Sequence, residues 1–337
     1  MNLAHQQSQH PNVHTAFAQW SEEQTLHVAV AYSNPLRWRT RRELMNDFRK
    51  RTEPNPNVTL YVGEIAYGDR PFEVTSPDNP RDFQFRTECE IWHKENILNL
   101  VVQRMPAEAR YVAYLDGDIQ MSRQDWALEA IHLLQHYQAV QLFRAFSDMG
   151  NRHEHLGVTN GFAYCYCHSI LPDVYRPGKE PPRDYSGKGD LWWGATGLGW
   201  AFRRSAWDAM GGLLDICVLG SADWHMAYGM IGRGYKHNDL QVGDGYVRAI
   251  RNWQSHAASL DANIGYLDNH ITHYWHGTKA KRFYRERTQI LTDHRFDPHK
   301  DLKRDWQGLY QLSGNNPKLR DDVRAYFRAR NEDHPGD

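Results

Sequence analysis

No apolar run in this 337-residue chain approaches the roughly 18 residues that a membrane-crossing helix needs, so no membrane span is expected. The opening MNLAHQQSQHPNVH lacks both the basic start and the apolar stretch of a secretory signal, which points to an intracellular, cytoplasmic protein. Cysteine is scarce. Cys89, Cys165, Cys167 and Cys217 are too few for a disulfide scaffold, and Cys165-Tyr-Cys167 has no second pair to complete a zinc site. Neither sign of charge dominates, since 40 Lys and Arg face 41 Asp and Glu; that excludes a polycation and leaves only local basic patches. Several enzyme signatures are also missing. No G-x-G-x-x-G follows the first strand, and GATGLG at 194–199 lies in the wrong half of the chain for a dinucleotide fingerprint. No G-x-x-x-x-G-K-[ST], H-E-x-x-H or G-x-S-x-G occurs, and there is no internal repeat.

Aromatic and imidazole side chains are abundant by contrast. With 12 Trp, 18 Tyr and 19 His, the composition suits stacking on sugars or bases as well as ordinary core packing. After a polar arm over residues 1–24, TLHVAVAY (25–32) reads as a strand buried on both faces. Asn34 and Pro35 then look like the cap and first residue of a basic helix reaching about Arg51. VTLYVGEI (58–65) is a second strand, and a helix is expected from about Thr87 to Gln103, with Lys94, Glu95 and Asn96 near its start. This alternation predicts an α/β fold with a mostly parallel sheet flanked by helices. AVQLF (139–143) is a further strand, and residues 144–190 read as a long irregular loop. Ser205 should cap a short helix that Gly211-Gly212 ends. Asp244 falls in a loop-rich stretch, and residues 291–337 read as a helical C-terminal extension.

The most informative stretch is ARYVAYLDGDIQMSRQDW, from Ala109 to Trp126. A strand from Arg110 to Leu115 ends abruptly in Asp116-Gly117-Asp118, whose two carboxylates would project to one side. Ser122 with Asp125 three residues on forms a capping-box pattern for the next helix. Paired hard oxygen ligands at the carboxyl end of a parallel strand suit Mg²⁺ or Mn²⁺ bridging phosphates, although acids are also common in any solvated turn.

The strand, the acidic pair and the helix together resemble the D-x-D element of GT-A (Rossmann-like) nucleotide-sugar glycosyltransferases, of the family-2-like and galactosyltransferase-like branch. Two further blocks follow in the family's order. WWGATGLGWAFRRSAWDAMGGLLDICVLGSADWHMA resembles the acceptor-side half, where a Gly-Gly turn precedes the acid that acts as general base in inverting members. Asp223 occupies that position, with Asp215 in reserve; the family often has Glu-Asp where this chain has Ala222-Asp223, and a helix-capping role for Asp223 stays open. HITHYWHG then supplies His276, or else His273, as the imidazole that closes the metal site beside Asp116 and Asp118.

The resemblance implies a metal-dependent enzyme that uses Mn²⁺ or Mg²⁺ and a nucleotide-diphosphate sugar, a UDP-sugar favoured. It inverts the anomeric centre if Asp223 is the base, and a retaining mechanism at the same metal site stays open if Asp223 is only a cap. Lys279, Lys281 and Arg282 would neutralise the leaving diphosphate. Trp192, Trp193 and Trp224 are candidates for stacking on sugar, and equally for core packing. The catalytic domain would span 25–290, with the donor half at 25–143 and the acceptor half at 191–290. The acceptor is either a surface glycan or, by likeness to viral enzymes acting in a host cytoplasm, a hydroxymethylated base in DNA. The alternative is a non-catalytic carbohydrate- or nucleic-acid-binding protein on a transferase scaffold. Retention of Asp116, Asp118, Asp223 and the histidines speaks against it. A sugar-phosphate nucleotidyltransferase fits less well, because YSNPLRW is a poor match to its Gly-rich signature.

Overall fold

Near-continuous β-branched and aromatic residues build the centre of the molecule. A computed structural model describes residues 24–171, 194–233 and 242–333, without the side chains of 279, 284 and 285. Leu26–Ser33 (β1) is buried along both faces, as a central parallel strand must be. It leads through α1 (Arg39–Thr52) to β2 (Val58–Tyr67), β3 (Asp82–Thr87), α2 (Lys94–Val102) and β4 (Tyr111–Leu115). Next come β5 (Ile119–Met121), α3 (Trp126–Leu133), β6 (Ala139–Gln141), β7 (Ala145–Met149), β8 (His155–Asn160) and α4 (Phe162–Cys167). The second half holds β9 (Gly199–Arg203), α5 (Arg204–Met210), α6 (Ala222–Met230), α7 (Asp244–Ala257), β10 (Ile264–Tyr266) and β11 (His270–His273). The chain closes with α8 (Tyr284–Asp293), α9 (Pro298–Asp301), the β12 (Leu302–Arg304) and β13 (Tyr310–Leu312) hairpin, and α10 (Pro317–Arg330).

The main sheet runs in the order β10-β6-β9-β4-β1-β2-β3, with β9 antiparallel to both neighbours and every other pairing parallel. The chain leaves β1 toward β2 on one side and later returns to β4 on the other. That reversal opens a crevice at the carboxyl ends of β1 and β4, the usual ligand position in such sheets. Two apolar layers flank it. Met45 and Phe48 of α1 pack with Trp126 and Ile131 of α3 in one. Ile97 and Leu98 of α2 join Trp207, Met226 and Ile250 in the other. Each such side chain contributes roughly 1.5–3 kcal/mol when fully buried. A smaller sheet, β5-β11-β7-β8, stands beside the crevice. Among the described residues, no helix is long and apolar enough to cross a membrane.

Several local expectations are corrected. Asn34 does not cap α1. Its Oδ1 accepts from Trp38 N and its Nδ2 donates to Trp38 O, both at 2.9 Å, closing a turn that delays the helix to Arg39. An amide that satisfies its neighbours' backbone competes with helix formation. Asn34→Ala should therefore destabilise the fold by about 1–3 kcal/mol in urea unfolding, because buried polar groups lose their partners. The helix after the acidic pair begins at Trp126, not Ser122, since Arg123 takes the Asp125 carboxylate at 2.7 Å. The helix expected from Thr87 starts at Lys94, and Asp82–Thr87 is a strand. Arg203, not Ser205, precedes the first turn of α5, although Gly211 ends it in the left-handed conformation as expected. The 144–190 segment is not irregular throughout, because β7, β8 and α4 lie in it. Asp244 opens a 14-residue helix, and the 291–337 extension contains a hairpin as well as helices.

Candidate functional site

Leaving β4, the backbone N–H of Asp116 donates to Leu198 O at 2.9 Å, which ties the acidic turn to the entry of β9. Gly117 permits the turn to press on α1, since a Cβ there would stand 2.9 Å from Met45 Sδ. The two carboxylates then take different partners. Asp116 forms an ion pair with Lys94, the first residue of α2. Burial disfavours the lysine's charge, but Asp116, Glu95 and Asp223 outweigh it and hold the ammonium well above the ordinary lysine range. Beside it, the buried Glu95 is pushed up to about 7, chiefly by burial, with Lys94 opposing and Asp223 and Asp116 adding.

Asp118 instead meets the imidazoles. The register of the small sheet decides this, because His273 sits across from Ile119 on one side and from Asp148 on the other. His273 Nδ1 lies 2.6 Å from Asp148 Oδ1, so the ring donates there and keeps a lone pair on Nε2. His276 Nε2 accepts from Arg282 Nη2 at 3.0 Å, which leaves the proton of that ring on Nδ1. Burial first, then Arg282, lowers the His276 pKa and favours the neutral ring. Three ligand-type atoms therefore converge, with Arg282 seated on the His276 Nε2 lone pair. The imidazole Nε2 atoms are 3.3 Å apart, His276 Nε2 is 3.2 Å from Asp118 Oδ2, and His273 Nε2 is 3.9 Å from Asp118 Oδ1.

One carboxylate oxygen and two nitrogens, all within 4.8 Å of one another, are a donor set that could hold a divalent ion. Asp118 Oδ1 is buried and has no hydrogen-bond partner among the described residues. Desolvation would raise this carboxyl's pKa, yet positive charge around it, from His276 and His273 whenever those rings carry a proton and from Arg282 and Lys94, holds it below the usual range. The residues fit a cation. Asp148→Asn should weaken Mn²⁺ binding by about 10–100-fold in isothermal titration, the range for partners that orient a ligating histidine.

Asp223 lies in the first turn of α6, whose N-cap is Ser221. Its Oδ2 accepts from Thr196 Oγ1 at 2.9 Å, and a Cβ on Gly197 would stand 3.0 Å from the same oxygen. Residues 196–198 thus touch both Asp223 and Asp116. Asp215 is engaged differently. Arg304 holds it at 3.0 Å, and the amides of Asn96 and Asn99 approach the same oxygen, at the edge of an open cleft of about 730 Å³. Arg282 reaches the histidine site, while Lys281 is half-buried on the same 3₁₀ turn, Lys279–Arg282. The Lys279 side chain, Trp192 and Trp193 lie outside the described residues. Trp224 packs on the Tyr228 ring at 4.9 Å, against the core.

Sequence reasoning placed Lys94 and Glu95 near a helix start without giving them a part in the site; their signal was two charges in the first turn of a largely buried helix. It also missed Asp148, Thr196, Arg41 and Glu332, which carry no local signature.

No protein-family model matches the chain, and no curated protein matches its sequence. Among solved structures it is similar to S. aureus TarS 1–349, at 11% identity over 82% of this chain and 68% of that one, with TM-score 0.36. It is also similar to the catalytic domain of Drosophila beta1,4-galactosyltransferase 7 in complex with xylobiose, at 11% identity, 88% and 97% coverage and TM-score 0.33. A third is 4-diphosphocytidyl-2C-methyl-D-erythritol synthase from Anaerococcus prevotii, at 10% identity, 73% and 87% coverage and TM-score 0.33.

Proposed function

We propose that the chain is a metal-dependent glycosyltransferase of GT-A type that moves a sugar from a nucleotide-diphosphate donor to an acceptor hydroxyl with inversion. The observation that carries this reading is the convergence of Asp118, His273 and His276 at the carboxyl edge of a parallel sheet, with Asp223 tethered nearby through residues 196–198. Those three side chains would hold the cation, and two nitrogen donors favour Mn²⁺ over Mg²⁺. Bound there, it would neutralise charge developing on the departing diphosphate. Lys94 and Arg282 add fixed positive charge around the same place, Lys94 through Asp116 and Arg282 beside His276. Asp223 would accept the proton of the acceptor hydroxyl, with Thr196 orienting its carboxylate.

Charge distribution favours a surface glycan over DNA as acceptor. The basic residues of α1 are largely answered locally: Arg39 by Glu43, Arg41 by Glu332, Arg49 by Glu53 and Asp82, and Lys50 by Asp47. Duplex DNA bearing hydroxymethylated bases should accordingly not be retained on filters at low salt; retention would reverse that choice.

The test is a melting-temperature panel of UDP, GDP, CDP and TDP with and without Mn²⁺. A ligand at about 100 times its dissociation constant stabilises by roughly 2.7 kcal/mol, easily seen as a shift. A shift for one nucleotide that requires Mn²⁺ supports the proposal and names the base, with a UDP-sugar the expected donor. No shift with any nucleotide would move the protein to the non-catalytic reading.

A further inference from the structure

Residues 331–333, which follow α10, return to the crevice across nearly the whole length of the described chain. Glu332 is 1% exposed there. Its carboxylate takes Arg41 from α1, with Nη2 at 2.8 Å, and Arg330 Nη2 at 2.7 Å. Its Oε2 also lies 3.8 Å from His276 Nδ1. Next to it, Asp333 accepts from the backbone N–H groups of Arg39 at 2.7 Å and Thr40 at 2.9 Å, capping the start of α1. The fit is close on the other side too. Gly277 has φ +95°, and a Cβ there would stand 3.1 Å from Glu332 Cα.

Two arginines already supply more positive charge than one carboxylate needs. Neutralising Glu332 therefore does not require a protonated His276, and the neutral ring can direct its Nδ1 proton at Oε2. From another part of the chain, this puts a carboxylate behind His276 as Asp148 stands behind His273, at 3.8 Å in place of the 2.6 Å hydrogen bond. Both imidazoles then have a carboxylate behind them and Nε2 turned toward Asp118.

Building on the metal-site reading, we propose that Glu332 is a positioning residue for that site. With Arg282 fixing the Nδ1–H tautomer from the other edge, it holds His276 in the ring orientation that aims Nε2 at Asp118 and His273. Cation affinity consequently depends on the Glu332 carboxylate itself, a contact made from outside the catalytic half of the chain.

The probe is Co²⁺, titrated into the full chain and followed by its visible absorption. Wild type should bind one equivalent. Glu332→Gln should bind about 10–100-fold more weakly, and nitrogen-15 NMR of the metal-free variant should show the His276 Nδ1–H signal shifted from wild type, with Arg282 still holding the tautomer. Asp333→Asn separates docking stability from positioning: its melting temperature should fall while Co²⁺ affinity stays near wild type. If Glu332→Gln does not fold, Glu332→Asp keeps the charge that the arginines need and withdraws it from His276; weaker Co²⁺ binding is expected again. Wild-type affinity in the folded Glu332 variant overturns the positioning role and leaves the metal site standing. A wild-type chain that binds no Co²⁺ overturns both.

Discussion

Asp118→Ala should abolish Mn²⁺-dependent nucleotide binding and with it all measurable sugar transfer. Asp118 is the only carboxylate in the convergent cluster of Asp118, His273 and His276, and it supplies the negative charge that imidazole ligands lack. Its loss should exceed the roughly 10–100-fold effect of changing an outer partner. The roughly 2.7 kcal/mol of stabilisation from saturating nucleotide should vanish with it. The unliganded fold should survive, because the Asp118 side chain faces the crevice histidines while its backbone C=O, which the substitution keeps, still accepts from Tyr274 N at 2.8 Å. Calorimetric titration of nucleotide with and without Mn²⁺, beside an unliganded melting curve, separates the two effects. A variant that still binds nucleotide only in the presence of Mn²⁺ would remove Asp118 from the metal site. Asp116→Ala should behave differently, since it takes the ion-pair partner from the half-buried Lys94 and therefore lowers stability as well as binding.

Asp223→Asn should lower kcat by about 10²–10⁴-fold and leave nucleotide affinity nearly unchanged. The amide keeps an oxygen for the Thr196 hydroxyl, so geometry is preserved and only the proton acceptor is lost. Steady-state kinetics with a turnover substrate would read kcat and KM separately, and NMR of the product would read the anomeric configuration. An inverted product and a collapsed kcat identify the base. Should kcat stay within a few-fold of wild type, the role passes elsewhere and the inverting mechanism falls with it. Asp215→Asn is the contrast. It weakens the contact with Arg304, and its main expected effect is on stability, not on kcat.

Local rules carried much of this protein's description. A β-branched run bounded by Pro or by acids marks a strand wherever it lies, so the sheet core, the strand before Asp116 and the Gly211 stop were readable from a few residues each. The boundaries that went wrong did so where a side chain found a non-local or competing partner. Asn34 bonded to Trp38, and Arg123 drew Asp125 away from its helix. Within 144–190, β7 and β8 were overlooked because their stability comes from pairing with each other and with β11, not from their own composition.

The amino-acid sequence by itself determined an α/β chain with an acidic pair at a strand end, a histidine cluster downstream and an acid opening a helix between them. Periodicity and turn chemistry act over a few residues, and those features are that short. Only the tertiary structure decided which atoms face one another. Strand register set His273 against Asp148, 125 residues away, and chain return set Glu332 on Arg41, 291 residues away. It also split the acidic pair, giving Asp116 to Lys94 and Asp118 to the histidines. Such pairings depend on how packed layers and hydrogen-bonded strands align, and no local propensity encodes that alignment.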